Sequence, residues 1–290
     1  MISDSVEADP ARPYVTGGVL YVVGLPIGNS DDITVRALKV LAGVDVVLSE
    51  DTRRTRFLLK QFDINAELMR FDAHVEGGRS ESIVELLAAG KSIALVSDAG
   101  TPCVSDPGHR LVRAVWDAGY RVVPIPGASS VIVGLSASGV GSNSFSFHGF
   151  LAKSQEARRD QLASFPAGTH VVFTPSRDLI AVMTDAASIP TIVRVVIGRE
   201  LTKVHESVYL GAATEILLRL EGDPESALGE SVVVFEVEAI AADESAVETA
   251  LVEVLESGTS ARDASRLLAE RFGMPRKAIY QLALTLAARK

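Results

Sequence analysis

Short apolar runs alternate with amphipathic stretches through the first half of the chain. Residues 19–23, VLYVV, are continuously apolar and stop at a turn-rich segment, GLPIGN, the pattern of a strand buried on both faces. Beyond it Ile33, Ala37, Leu38 and Leu41 recur at helical spacing, with Ser30 or Asp31 as cap and Gly43 as stop. VDVVLSED predicts a second strand with acids at its carboxyl end, and helical patterns follow in TRRTRFLLKQF and SESIVELLAAG. SIALVSDAGTP reads as a third strand running into a long loop. RLVRAVWDAG reads as a helix, YRVVPIPGASS as a strand with its loop, and SVIVGLSASG as another helix. Strand–helix alternation with short links predicts an α/β fold on a parallel, doubly wound sheet.

The rhythm restarts at GSNSFSFHGF. THVVFTPSRDLIAVMTDA, TIVRVVIGRELTK and ESVVVFEVEAI predict a second sheet with interleaved helices. Residues 239–248 read as a linker, and SARDASRLLAERFGMPRKAIYQLALTLAARK as two helices broken at FGMP. The expected plan is a loose leader over 1–17, an α/β domain over 18–140, a second over 141–240, and a linker with a small helix–turn–helix-like tail over 241–290.

Composition narrows the function. With 290 residues, 47% of them hydrophobic, the chain can bury a sizeable core. No window approaches the ~20 apolar residues of a membrane span, and the polar start resembles neither a signal peptide nor a presequence. One cysteine, Cys103, excludes an internal disulfide framework and a cysteine-based zinc cage. These features together predict a cytoplasmic protein. The net charge of −9 argues against general nucleic-acid binding. Two local basic patches stand against that background. One is EDTRRTRFLLKQ, with Arg53, Arg54, Arg56 and Lys60; the other is the tail, where residues 257–290 hold seven basic and two acidic side chains.

The unusual residues gather at strand ends: GLPIGN, SEDTRRTR, SDAGTPCVSDPG, PIPGASS, FTPSR and GRELTKVHES. Open parallel sheets bind ligands outside the carboxyl ends of their strands, so six such loops outweigh ordinary turn chemistry. Neither G-x-G-x-x-G nor G-x-x-x-x-G-K-[ST] occurs, and the loops are rich in proline, which lacks the N–H a phosphate cradle uses. They suit a ligand held by carbonyls, hydroxyls and shape.

LYVVGLPIGNSDDITVRALKVL, SEDTRRTRFLLKQF, VSDAGTPCVSDPGHRLVRA, VPIPGASSVIVGLSASG and GRELTKVHE resemble the tetrapyrrole-methylase-type (class III) S-adenosylmethionine methyltransferases. EDTRRTR, SDAGTP and RELTK-HE resemble more narrowly the branch that methylates a cytidine 2′-hydroxyl of bacterial 16S ribosomal RNA. The resemblance covers residues 18–290. It implies a homodimer of two α/β domains around a cleft, with S-adenosylmethionine bound between them and a decoding-centre cytidine on the small ribosomal subunit as target. By position it implies a donor site from Pro26, Ile27 and Gly28, then Asp98, Ala99, Gly100 and Thr101, then Ser129 and Ser130. Phe173, Pro175, Glu230 and Ser231 would complete it from the second domain. The chain departs from the family at two places: Cys103 replaces the usual glycine, and FTPSR replaces F-Y-E-S-P-H-R.

Transfer to a ribose hydroxyl needs positioned reactants and an acceptor for the proton. Glu50, Asp51, His74, Glu200 and Lys203 are the catalytic candidates. Arg53, Arg54, Arg56 and Arg199, with Arg276 and Lys277 in the tail, are the expected RNA contacts. Cys103 reads as a small buried filler, and His109, His148 and His170 as structural. No metal is expected, because the acids form no recognisable ligand set. Two other readings stay open: a tetrapyrrole methyltransferase, and a non-catalytic RNA-binding assembly factor.

Overall fold

The computed structural model describes residues 14–141, 143–223, 225–239, 244–272, 274 and 276–288. The first sheet is built from β1 (Val19–Val23), β2 (Val46–Ser49), β3 (Glu67–Arg70), β4 (Ile93–Leu95) and β5 (Arg121–Ile125). All pairings are parallel, in the order β3-β2-β4-β1-β5. Between the strands run α1 (Val35–Gly43), α2 (Thr52–Gln61), α3 (Glu76–Ala88) and α4 (His109–Asp117), and α5 (Ser130–Ser138) follows β5.

Strand alternation builds two cores. Val19, Tyr21, Val23, Val47 and Ala94 face α1 and α2, meeting Ala37, Val40, Leu41 and Leu59. Leu20, Val46, Leu48, Ile93 and Leu95 face α3 and α4, meeting Ile83, Leu87, Leu111 and Val115. Neighbouring β1 and β4 send their connections in opposite directions, which opens a crevice outside their carboxyl ends.

The second sheet contains β6 (Phe145–Phe150), β7 (Gly168–Pro175), β8 (Ile192–Arg199), β9 (Ser207–Gly211) and β10 (Glu230–Val237), in the order β6-β7-β10-β8-β9. Only β6 and β7 pair in parallel. The helices α6 (Gln155–Ala163), α7 (Leu179–Ala187) and α8 (Ala213–Glu221) cover one face. The other face takes α5, whose Val131 and Leu135 pack against Val171, Val196, Val232 and Val234. Helix α5 therefore follows the first sheet in sequence and packs on the second. Gly134 makes this approach possible, since a Cβ there would lie 3.0 Å from Val232 Cγ1.

The tail is a bundle of α9 (Glu244–Glu256), α10 (Ala261–Phe272) and α11 (Arg276–Ala288) around Val247, Leu251, Leu268 and Ile279. Helix α9 begins inside the stretch read as linker, of which 240–243 lie outside the described residues, as do Gly273 and Pro275 at the expected break. Residues 1–13 of the expected leader also lie outside them. Residues 14–17 are held: Lys39 Nζ donates to Tyr14 Oη at 2.9 Å, and Thr16 N–H donates to Tyr21 Oη at 2.9 Å. No helix among the described residues is long and apolar enough to cross a membrane.

Two local expectations change. Thr34, not Ser30 or Asp31, caps α1, its Oγ1 accepting from Ala37 N–H; Asn29 caps a separate 3-10 turn over Ser30–Asp32. Strands β3 and β9 were not foreseen. Both are edge strands, and β3 is only four residues long with exposed polar ends.

Candidate functional site

A cavity of about 900 Å³ lies between the two sheets, at the carboxyl ends of the first-sheet strands. Strand β10 runs antiparallel to β7 and β8, so its first residues sit beside their last ones: Glu230 pairs with Pro175, and Ser231 with Arg199. This brings the FTPSR and GRELTK loops to one place.

Of the expected donor residues, Ile27, Asp98, Ala99, Gly100, Thr101, Ser129 and Ser130 line the first-domain wall. Phe173, Pro175, Glu230 and Ser231 line the opposite one. Pro26 and Gly28 do not. Pro26 accepts Gly100 N–H through its carbonyl, and Gly28 packs under the second domain, where a Cβ would lie 2.5 Å from Lys203 Cγ. Their part is to shape the wall. The first-domain loops meet at Gly24 and Gly127, where a Cβ on Gly127 would fall 2.5 Å from Gly24 backbone.

The walls carry strained backbone. Cys103 and Ser105 on one side, and Glu200 and Thr202 on the other, adopt φ of +72°, +61°, +49° and +68°. The conformation at Cys103 accounts for the glycine usual there. Burial pushes its thiol up to about 11, so it has no thiolate character at neutral pH.

The catalytic candidates separate by geometry. Asp51 caps α2 by accepting Arg53 N–H at 2.9 Å, and this bond with the Arg53 guanidinium holds its carboxyl below the usual range. His74 is exposed, its N–H bonded to Asp72. Neither lines the cavity, so neither is placed to take a proton there. Glu50 also lies behind the lining. It accepts the Asp98 N–H, while Asp98 Oδ1 accepts Asp51 N–H at 3.0 Å, which laces the two turns together. Burial first, and then the charges of Asp106 and Asp98, push the Glu50 carboxyl up to about 7.

Glu200 and Lys203 do line the cavity, joined at 2.7 Å. Burial works to raise the Glu200 carboxyl. Bonds from Lys203 and Glu230 N–H outweigh it and leave the group below its ordinary range. Glu200 is thus an ionised anchor for Lys203 and a poor proton acceptor.

Among the expected RNA contacts, Arg54 lines the cavity with Nη1 3.5 Å from Asp98, and Arg53 and Arg56 are exposed on α2. Arg276 and Lys277 are exposed at the start of α11. Arg199 is a correction. Only 5% exposed, it donates through Nε to Leu228 O at 3.0 Å and through Nη2 to Glu225 O, tying down the loop before β10. A guanidinium spent this way cannot reach RNA.

The sequence reading missed Asp106 and Arg177, both in the lining. Burial, then Asp98 and Glu230, raises the Asp106 carboxyl against a hydrogen bond from Ser97. Both residues stand inside quoted strand-end loops, and that position was the available signal. Thr174 also lines the cavity, and its hydroxyl is buried without a partner. No group of three or more His, Cys, Asp or Glu among the described residues could hold a metal ion.

The family model for tetrapyrrole (corrin/porphyrin) methylases matches residues 19–217, and that for the RsmI C-terminal HTH domain matches 241–287. The chain is 40% identical over 272 residues to ribosomal RNA small subunit methyltransferase I of Xylella fastidiosa, covering 91% of this chain and 98% of that protein. Against the protein of the same name from Escherichia coli O157:H7 it is 39% identical over 278 residues, covering 92% and 95%. Among solved structures, uroporphyrin-III-C-methyltransferase from Thermus thermophilus superposes with a TM-score of 0.54 at 21% identity, over 76% of this chain and 94% of that one. Diphthine synthase gives 0.54 at 17%, over 75% and 89%. At these identities the solved structures establish the fold alone. The length and level of the sequence matches go further: this chain belongs to the tetrapyrrole methylase family and, within it, to the ribosomal RNA small subunit methyltransferase I group.

Proposed function

We propose that the protein transfers a methyl group from S-adenosylmethionine to the ribose 2′-hydroxyl of a decoding-centre cytidine in 16S ribosomal RNA. The substrate is the assembled small subunit, and the enzyme works in the cytoplasm as a homodimer. The observation that carries this reading is the cavity, whose lining combines the acids Asp98, Asp106, Glu200 and Glu230, the partnerless hydroxyl of Thr174, and the cations Arg54, Arg177 and Lys203.

The residues present fit the donor. About 900 Å³ accommodates a nucleoside-sized ligand with room for a second reactant. Asp98, Asp106 and Glu230 give the walls a negative charge that suits a sulfonium and an ammonium. The partnerless hydroxyl of Thr174 offers a hydrogen bond a ligand can complete. Bound there, the donor supplies a methyl already activated for in-line displacement.

The chain's own work is to align the two reactants and remove a proton. Asp98, fixed by Asp51 N–H and Arg54, holds the donor side. Glu200 presents the Lys203 ammonium toward the acceptor strand. Asp106, raised by burial, is the lining carboxylate best matched to accept the hydroxyl proton. The exposed Arg276 and Lys277 add a sequence-blind contact to RNA backbone.

Labelled S-adenosylmethionine offered with small subunits, free 16S RNA and uroporphyrinogen tests the reading. Label at one cytidine ribose, absent with Asp106→Asn, is expected. Label on the macrocycle, or at a base, refutes it.

A further inference from the structure

Three basic side chains line the cavity, Arg54, Arg177 and Lys203, with Arg199 buried behind them, and all but Arg177 are committed. Arg199 is buried on backbone carbonyls; Lys203 faces Glu200 at 2.7 Å and Glu230 at 3.8 Å; Arg54 faces Asp98 at 3.5 Å. Arg177 differs. It is exposed, it lines the cavity, and no carboxylate among the described residues lies within ion-pair distance of it.

Its backbone is nevertheless firmly placed. The preceding Ser176 is buried, its N–H donates to Gly229 O at 3.0 Å, and its Oγ bonds Ser231 Oγ at 2.8 Å. These two bonds pin the 3-10 turn over Ser176–Asp178 onto the start of β10. An unpaired guanidinium on a fixed turn presents its planar fork of donors without first breaking an ion pair. Arg54 stands on α2, on the wall of the other domain.

We infer that Arg177 is the principal ligand for a phosphodiester of the acceptor strand, gripping it beside the nucleotide that enters the cavity. The inference rests on the ribosomal RNA reading above. Its charge logic is local: Asp98, Asp106, Glu200 and Glu230 repel an RNA backbone, so the strand needs a cation at the mouth that these acids have not already neutralised. Bidentate geometry makes arginine the residue for that task.

The test uses the full-length protein, Arg177→Gln and Arg177→Lys. Binding of purified small subunits is measured between about 50 and 200 mM KCl, beside S-adenosylmethionine affinity by calorimetry and steady-state transfer. Arg177→Gln should weaken particle binding about tenfold and reduce the log–log salt slope by about 1. Donor affinity and kcat on saturating particles should stay within about threefold of the parent. Arg177→Lys should restore the salt slope but only part of the affinity. Unchanged particle binding and slope in Arg177→Gln overturn the inference. So does loss of donor affinity with particle binding intact, which would reassign Arg177 to the donor carboxylate. A parent protein that neither binds nor methylates small subunits overturns the functional reading itself, a result the variants alone cannot produce.

Discussion

Replacing Glu50 with Gln removes one negative charge and keeps an oxygen to accept the Asp98 N–H. In the folded protein burial, reinforced by Asp106 and Asp98, moves this carboxyl from an ordinary 4.5 up to about 7. Between those values the native state holds a proton that the unfolded chain has released, so stability must fall as pH rises through the window. Above about pH 7 the folded protein carries an ionised Glu50 against the carboxylates of Asp106, Asp98 and Asp72. The whole displacement corresponds to about 3 kcal/mol at 1.36 kcal/mol per pH unit. Glu50 is only partly buried, and solvent screening reduces this to roughly 1–2 kcal/mol. Urea unfolding at several pH values reads the difference. Glu50→Gln should exceed the parent by about 1–2 kcal/mol near pH 8.5, and the two should converge toward pH 4.5. Stability curves that run parallel across that range would falsify the reasoning. Because Glu50 sits behind the lining, kcat should fall less than about tenfold; a loss of about 10²–10⁴-fold would make Glu50 the proton acceptor instead.

Two other outcomes follow from packing. Gly127→Ala puts a Cβ 2.5 Å from Gly24 backbone, which cannot swing away as a side chain would. The loops after β1 and β5 must part, at a cost of about 1–3 kcal/mol. S-adenosylmethionine affinity should drop at least about tenfold by calorimetry, and an unchanged affinity would remove Gly24 and Gly127 from the account of the pocket. Arg158→Leu leaves Asp185, 1% exposed, without the partner it meets at 2.7 Å, and should cost about 3–5 kcal/mol in urea unfolding. The double change Arg158→Leu with Asp185→Leu should recover most of that loss; no recovery would mean the pair is not what the first change disturbs.

The sequence made the strand-end loops legible because their cues are local. Proline, glycine and clustered acids interrupt apolar runs, and the loops so marked do line one cavity. What it hid depends on distant parts of the chain. Whether Arg199 faces solvent or the Leu228 carbonyl is settled by the path of the loop before β10, some thirty residues on. Arg177 and Asp106 become notable through what lies around them, a missing partner in one case and burial in the other. Strand β3, ELMR, carries no apolar alternation to announce it, and its neighbour β2 supplies the pairing that defines it. Helix α5 is apolar enough to belong anywhere, and only the assembled fold shows that it packs against the second sheet.

Of the five non-glycine residues at positive φ, all but Asp63 stand in the loops around the cleft, which has a consequence for any attempt to harden this protein. Each holds roughly 1 kcal/mol of unfavourable backbone energy, and glycine or asparagine at the same place would release part of it. A screen rewarding heat resistance alone would therefore draw in Cys103, Ser105, Glu200 and Thr202 beside Asp63, and those four stiffen both rims of the cleft. Variants harvested that way would survive higher temperatures with slacker rims, so thermal endurance and turnover would have to be selected together.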